Sequence, residues 1–237
     1  MKFEADKPSD GANRRFGTAT ERVLGAIRDA IVELELPPGS MIDKAVLCAR
    51  FGVSRFPVSD ALTRLQAEGL VEVLPQRGTR VTRIRMADIA QAMFIRRALE
   101  VEMVRALAAT LPEGLRASLE TNLGYQRVAI DHADARAFHQ LDLGFHALLL
   151  EALDYPRVGA AVDAARHSLE RARRMLASPS RNAATLAEHA AILDALALRD
   201  GAAAAAAMER HLDAVLAELV EFMTVSPSAF ERADHGA

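Results

Sequence analysis

Cysteine occurs once in the 237 residues, at Cys48, so the chain can form neither an internal disulfide nor a cysteine metal cluster. Aromatic residues make up only 5%. No stretch approaches the roughly 18 uncharged apolar residues of a membrane-spanning helix. Residues 1–15 are polar and lack the apolar segment of a secretory signal. Together these absences point to a soluble, cytoplasmic, reduced protein with no membrane partner. Histidine is missing from the first 131 positions, and all seven (His132, His139, His146, His167, His189, His211 and His235) follow. Apolar material is ample: 51% hydrophobic against 26% charged excludes wholesale disorder. At roughly 100–200 residues per domain, the length suits one large or two modest domains.

The net charge of −3 conceals a division. Residues 11–85 carry 12 Lys/Arg against 8 Asp/Glu, whereas residues 86–237 carry 15 against 21. A basic front and an acidic rear suggest two modules with different partners, meeting near residue 85.

In the front module Thr18 and Glu21 fit a capping box, and Val23, Leu24, Ile27, Ala30, Ile31 and Leu34 follow at helical spacing. Pro37-Pro38-Gly39 marks a turn. A second helix is expected from Asp43 to Gly52. A third follows behind Ser54 as N-cap, with Val58, Ala61, Leu62 and Leu65 as its buried stripe. Val71–Leu74 and Thr79–Thr82 read as strands joined by Pro75-Gln76-Arg77-Gly78. Helix, helix, turn, helix, hairpin is the order of a winged helix-turn-helix. A helix about 10–12 Å across fits the major groove of double-stranded DNA, so its N-terminal residues can reach base edges. Arg55 stands at that N-terminus, Arg64 lies further along, and Arg77 sits at the hairpin tip. Read singly, each is equally well a solvated surface charge.

Residues 21–83 resemble the DNA-binding domain of the GntR family of bacterial transcription regulators. The resemblance is carried by IRDAI (27–31), LPPGS (36–40), FGVSR-PVS-AL (51–62) and RLQAEGLVEVLPQRGTRVT (64–82). It implies that Arg55 and the wing residue Gly78 belong to the surface that touches operator DNA. Two positions depart from the family pattern: Ser59 replaces the usual arginine and Lys44 the usual glutamate. An arginine lost at 59 removes a candidate base contact worth roughly 1–3 kcal/mol of discrimination, so the operator is expected to differ. Lys44 is a candidate phosphate contact.

From Met86 to about Val225 the sequence reads as about six helices, interrupted near residues 111–114, 131–134, 154–156, 178–180 and 200–201. The polyalanine run 202–207 is read as helix rather than linker. The expected organisation is a tail (1–16), a winged helix-turn-helix (17–83), a linker (84–88), an all-α ligand-binding domain (89–225) and a second tail (226–237), both tails disordered. The fold class is thus mostly α.

Four polar residues interrupt apolar stripes in the rear module. Asp142 and His146 are four apart and project from one helix face, among Phe138, Phe145 and Leu149. His189 lies with Leu186, Leu193 and Leu196, and His211 with Met208, Leu212 and Val215. By contrast, His167 is flanked by charges and reads as solvated. Asp200 lies 11 residues after His189 and 11 before His211. In a helical hairpin both would stand roughly 16 Å from the turn, level with each other. A site of three nitrogens and one oxygen is feasible, suited to a divalent transition metal: zinc first, with nickel or manganese as alternatives. Hydrogen-bonded core histidines, or an Asp142–His146 pair, would produce the same pattern. His139 is a possible substitute ligand. Arg96, at helical spacing with Met93 and Val104, is either half of a structural pair with Glu100 or a fork for a small carboxylate.

Residues 88–222 resemble the FCD ligand-binding domain that follows the GntR reader in the FadR-like branch. The motifs are IRRALE (95–100), LDLGFHALLLEA (141–152), EHAAILDAL (188–196) and MERHLDAV (208–215). The resemblance implies that Asp142, His146, His189 and His211 bind a divalent metal, and that the effector is a small organic or sugar acid reaching Arg96. The resulting expectation is a homodimeric, metal-dependent, ligand-responsive regulator, acting as a repressor. Two alternatives are a helical-bundle metalloenzyme and a constitutive DNA binder with a purely structural metal. The first is disfavoured because a di-iron bundle needs paired Glu-x-x-His motifs, which the chain lacks.

Overall fold

The computed structural model describes residues 18–231, apart from the side chains of His167 and Ser168. The expected disorder of residues 1–16 and the solvated reading of His167 lie outside the described residues. The chain divides into two compact units between Arg83 and Ile84.

The N-terminal unit opens with α1 (Ala19–Val32), whose capping box is complete. Thr18 Oγ1 accepts from Glu21 N at 3.2 Å, and Glu21 Oε2 accepts from Thr18 N at 2.6 Å. α1 ends before Leu34, which turns left-handed at φ 63° instead of extending the stripe. α2 (Lys44–Phe51) is capped by Asp43 and closed by Gly52, and α3 (Arg55–Ala67) follows. Ser54 holds the N-cap position of α3 without a side-chain cap bond. Strand β1 (Met41–Ile42) lies outside the sequence expectation, because two residues carry no period to read. It pairs antiparallel with β3 (Gly78–Val81), which also pairs with β2 (Val71–Leu74), giving the order β1-β3-β2. The hairpin turns through Gln76 at φ 58° and Gly78 at φ 102°. That positive φ at Gly78 would strain any side chain, which favours glycine there. Val23, Ile27, Ile31, Val58, Leu62, Leu65, Val71 and Val81 form the core. Each large member contributes about 1.5–3 kcal/mol by leaving water.

The C-terminal unit contains, among the described residues, six helices: α4 (Met86–Thr110), α5 (Leu115–Asp131), α6 (Ala135–Leu153), α7 (Pro156–Leu176), α8 (Pro179–Ala197) and α9 (Gly201–Val225). α4 packs on α7 and α9, α5 on α6 and α8, and α8 on α9. The expected linker 84–88 is shorter, since α4 starts at Met86 and Ile84 is buried. The expected disordered tail is also corrected over residues 226–231. Pro227–Ala229 form a 3-10 turn, and Ile84 donates to Ala229 O at 2.9 Å while Glu231 donates to Ile84 O at 2.8 Å. Phe230 is 2% exposed, so burying that ring holds the segment against the bundle.

Candidate metal centre and nucleic-acid interface

The sequence places Asp142 and His146 one turn apart on α6, His189 on α8 and His211 on α9. The bundle brings all four together. One ligand atom from each lies within 4.8 Å of the others, a span close to twice the roughly 2.0–2.2 Å of a metal–imidazole or metal–carboxylate bond. None of the four is more than 1% exposed. The ring centres of His146, His189 and His211 stand 4.8–5.4 Å apart, and Phe145 stacks on His189 at 4.0 Å.

Each imidazole is held from behind by its Nδ1: His146 on Glu100 at 2.6 Å, His189 on Gln126 at 3.2 Å and His211 on Glu188 at 2.7 Å. The three Nε2 atoms and Asp142 Oδ1 are buried without a hydrogen-bond partner, whereas Asp142 Oδ2 faces Arg173. Asp142 and His146 do not pair with each other. Backing by an acceptor that leaves the opposite nitrogen bare is how proteins orient metal-ligating histidines. Orphaned buried acceptors would be costly in a core, so the donor set fits a divalent transition metal.

Burial pushes all three imidazoles towards the neutral form. His146 falls well below its usual value, helped by the neighbouring Arg166 and Arg96, and His189 falls likewise, helped by His211. His211 falls to about 3, chiefly through burial. Burial works against ionisation of Asp142, but Arg173, with Nη2 at 2.7 Å, acts together with His189 and His146 to keep the carboxyl well below the usual range. The site thus offers three neutral imidazoles and one carboxylate, the protonation states a metal requires.

Arg96 is fully buried and pairs with Glu100 at 2.6 Å, leaving Nη1 without a partner. The Arg96–Glu100 pair is therefore real, and its carboxylate is the one that orients His146. Two arginines not among the sequence candidates also line the site. Arg173 and Arg166 approach Asp142 Oδ2 at 2.7 and 3.8 Å. Nη1 of Arg173, and Nε and Nη2 of Arg166, are buried without hydrogen-bond partners. Burial and the charge of Arg96 lower Arg166 to about 10. Both arginines interrupt the stripe Val162, Ala165, Leu169 and Ala172 of α7, so the signal that exposed the histidines was present there too. Gln126 sits likewise within Leu115, Leu119 and Ala129 of α5. His139 does not join the cluster; its Nε2 meets Glu170, which also accepts from Arg174 at 3.0 Å.

In the N-terminal unit Arg55 opens α3 and is exposed, and Phe56 beside it is 77% exposed. Arg77 and Gly78 project at the hairpin and Lys44 at the start of α2, all exposed, whereas Ser59 is half-buried. Arg55, Arg77 and Lys44 have no ion-pair partner among the described residues. Arg64 leans on Asp60 at 3.2 Å, and Arg28 and Arg80 are bound to Glu68 and Glu72. Of the unpaired cations, Arg55 lies on α3 and Arg77 on the wing, the elements that approach DNA grooves in such folds, whereas Lys44 opens α2.

A winged helix-turn-helix and an all-helical domain on one chain define a DNA-binding transcription regulator. Residues 19–81 match the model described as "Bacterial regulatory proteins, gntR family", and residues 91–214 match the FCD domain. The chain is 33% identical over 198 residues to the HTH-type transcriptional repressor RspR of Escherichia coli K12, covering 82% of this chain and 86% of the relative. It is 36% identical over 205 residues to an HTH-type regulator of Streptomyces ambofaciens, covering 86% of both. A GntR regulator structure from Rhodococcus sp. RHA1 superposes with a TM-score of 0.70 at 24% identity, covering 85% of this chain and 97% of that one. The chain belongs to the GntR family, with an FCD second domain. It is a DNA-binding transcriptional regulator, and the family and its relatives are regulators rather than enzymes, which removes the metalloenzyme alternative. No helix among the described residues is long and apolar enough to cross a membrane.

Proposed function

We propose that this regulator is a repressor that binds operator DNA as a homodimer and releases it in response to a small organic or sugar acid. On this reading the acid binds in the FCD domain beside a divalent metal held by Asp142, His146, His189 and His211, zinc first, with nickel or manganese as alternatives. Repression follows the relative RspR, a repressor by name. Dimerisation follows from DNA symmetry, since two readers set one helical turn apart match a palindromic site. Arg55, Arg64 and Ser59 of α3, Arg77 and Gly78 of the wing, and Lys44 would form the DNA surface.

One observation carries the effector reading. Arg96, Arg166 and Arg173 each keep a buried guanidinium nitrogen without a hydrogen-bond partner beside the ligands, Arg173 and Arg166 against Asp142 and Arg96 on the Glu100 that backs His146. A dication there would supply a Lewis-acid position for an anion's oxygen. With it in place, three guanidiniums and the dication would stand against the carboxylates of Asp142 and Glu100, with Glu170 near Arg173 and Glu188 behind His211, so positive charge would stay in excess. That surplus of buried positive charge calls for an anion. Arg96 is held by Glu100 through Nε and keeps Nη1 for the acid, while Arg173 and Arg166 hold Asp142 ionised.

The test is calorimetric titration of zinc-loaded protein with mono-, di- and tricarboxylates and sugar acids. Anisotropy on DNA selected from a random pool then follows operator release. Saturable binding of one acid class, weakened in Arg96→Met and accompanied by release, is the expected result. Zinc binding with no acid response would leave only the constitutive binder.

A further inference from the structure

His146 and His211 hand their Nδ1 protons to glutamates, and an ionised carboxylate only accepts, so partner chemistry alone fixes their tautomers. His189 differs. Its partner is the amide of Gln126, and an amide can turn either an oxygen or an NH2 group towards a ring. The choice is settled one turn further along α5. Asn122 Nδ2 donates to the backbone carbonyl of Leu141 at 3.0 Å, and that carbonyl can only accept. Asn122 Oδ1 is therefore left to accept from Gln126 Nε2 at 2.7 Å. Gln126 Oε1 is in turn directed at His189 Nδ1, 3.2 Å away, and must accept its proton.

We infer that Asn122 and Gln126 are positioning residues that lock His189 in its Nδ1–H tautomer and keep the Nε2 lone pair facing the cluster. The direction of the chain originates in the Leu141 carbonyl, one residue before the ligand Asp142. In the opposite tautomer an Nε2–H, not a lone pair, would point towards Asp142 Oδ1, 3.6 Å away, and His189 could not ligate through Nε2. The relay prevents that. Gly144 belongs to the same device. A Cβ at 144 would lie 3.2 Å from Asn122 Nδ2, a tight approach, so glycine at 144 gives Asn122 room to reach α6 without shifting. The other two backing groups are carboxylates beside arginines, Glu100 with Arg96 and Glu188 with Arg181. The amide relay orients His189 with no added buried charge.

This inference rests on the proposal that the cluster holds a metal, and its test separates the two. Full-length, metal-free protein labelled with 15N at histidine is observed by long-range 1H–15N correlation, His189 being assigned through His189→Asn. The expected spectrum has a protonated, pyrrole-type Nδ1 and a bare, pyridine-type Nε2. Asn122→Leu frees the Gln126 amide to turn, and Gly144→Ala displaces Asn122 by its added methyl. Each is expected to give mixed tautomers and roughly 10–100-fold weaker zinc binding in chelator competition. Gln126→Glu, whose carboxylate only accepts, keeps the single tautomer. A wild-type His189 protonated at Nε2, or both disruptive variants retaining one tautomer and full zinc affinity, overturns the relay. If the wild type shows the expected tautomer but binds no zinc, the metal proposal fails while the relay stands.

Discussion

Among the described residues, the N-terminal unit buries one polar side chain, Thr79, whereas the C-terminal unit buries ten, including Arg96, Glu100, Asp142, His146, Arg166, His189 and His211. The reader's working cations stand outside an apolar core, where solvent screens them and little stability depends on them. The second unit has its candidate site inside the core, where each charge needs a partner and each partner fixes another side chain. The departures at Ser59 and Lys44 fall outside the reader's core, where identity can change without disturbing packing. A comparable change at Glu100 would strand Arg96 and release His146 at once.

The largest effect should come from Asp142→Ala. It leaves Arg173 and Arg166 buried without their countercharge, and is expected to destabilise the C-terminal unit by about 3–5 kcal/mol. Hydrogen exchange resolved by unit should show the loss in α6–α9 with α1–α3 unmoved. Equal protection in mutant and wild type would break the contrast. Metal should act next. At 100 times its dissociation constant a bound dication adds about 2.7 kcal/mol, lost on chelation and again confined to the C-terminal unit.

The reader's effects should fall on binding instead. Arg55→Ala is expected to weaken operator binding by about 1–3 kcal/mol in anisotropy titrations. The same change should shift stability by less than about 0.5 kcal/mol, as surface substitutions do. Smallest is Arg77→Ala, which should lower the slope of log affinity against log salt by about 1 while leaving sequence preference intact. A change of preferred bases would assign Arg77 to reading rather than to phosphate contact.

What could be read from the sequence divides along the same line. Helix breaks were legible because Pro112, Gly114, Pro156, Pro179 and Gly201 punctuate strongly periodic segments. Asp142, His146, His189 and His211 were legible because each interrupts an apolar stripe. Their backing groups were harder to find. Glu188 is only part-buried, and Glu100 looked complete as the partner of Arg96. Arg166 and Arg173 stand in a segment so rich in arginine that the buried pair did not separate from Arg171 and Arg174. The order of the Ser226–Glu231 segment is not legible because it comes from Ile84, some 140 residues earlier, and periodicity is blind to such distant contacts.

X-ray absorption on purified, zinc-loaded full-length protein addresses the central claim most directly. One zinc per chain, with a shell of three imidazole nitrogens and carboxylate oxygen that disappears in His211→Ala, is the predicted result. Zinc retained with an unchanged imidazole count in that variant, or no stoichiometric zinc at all, would contradict it.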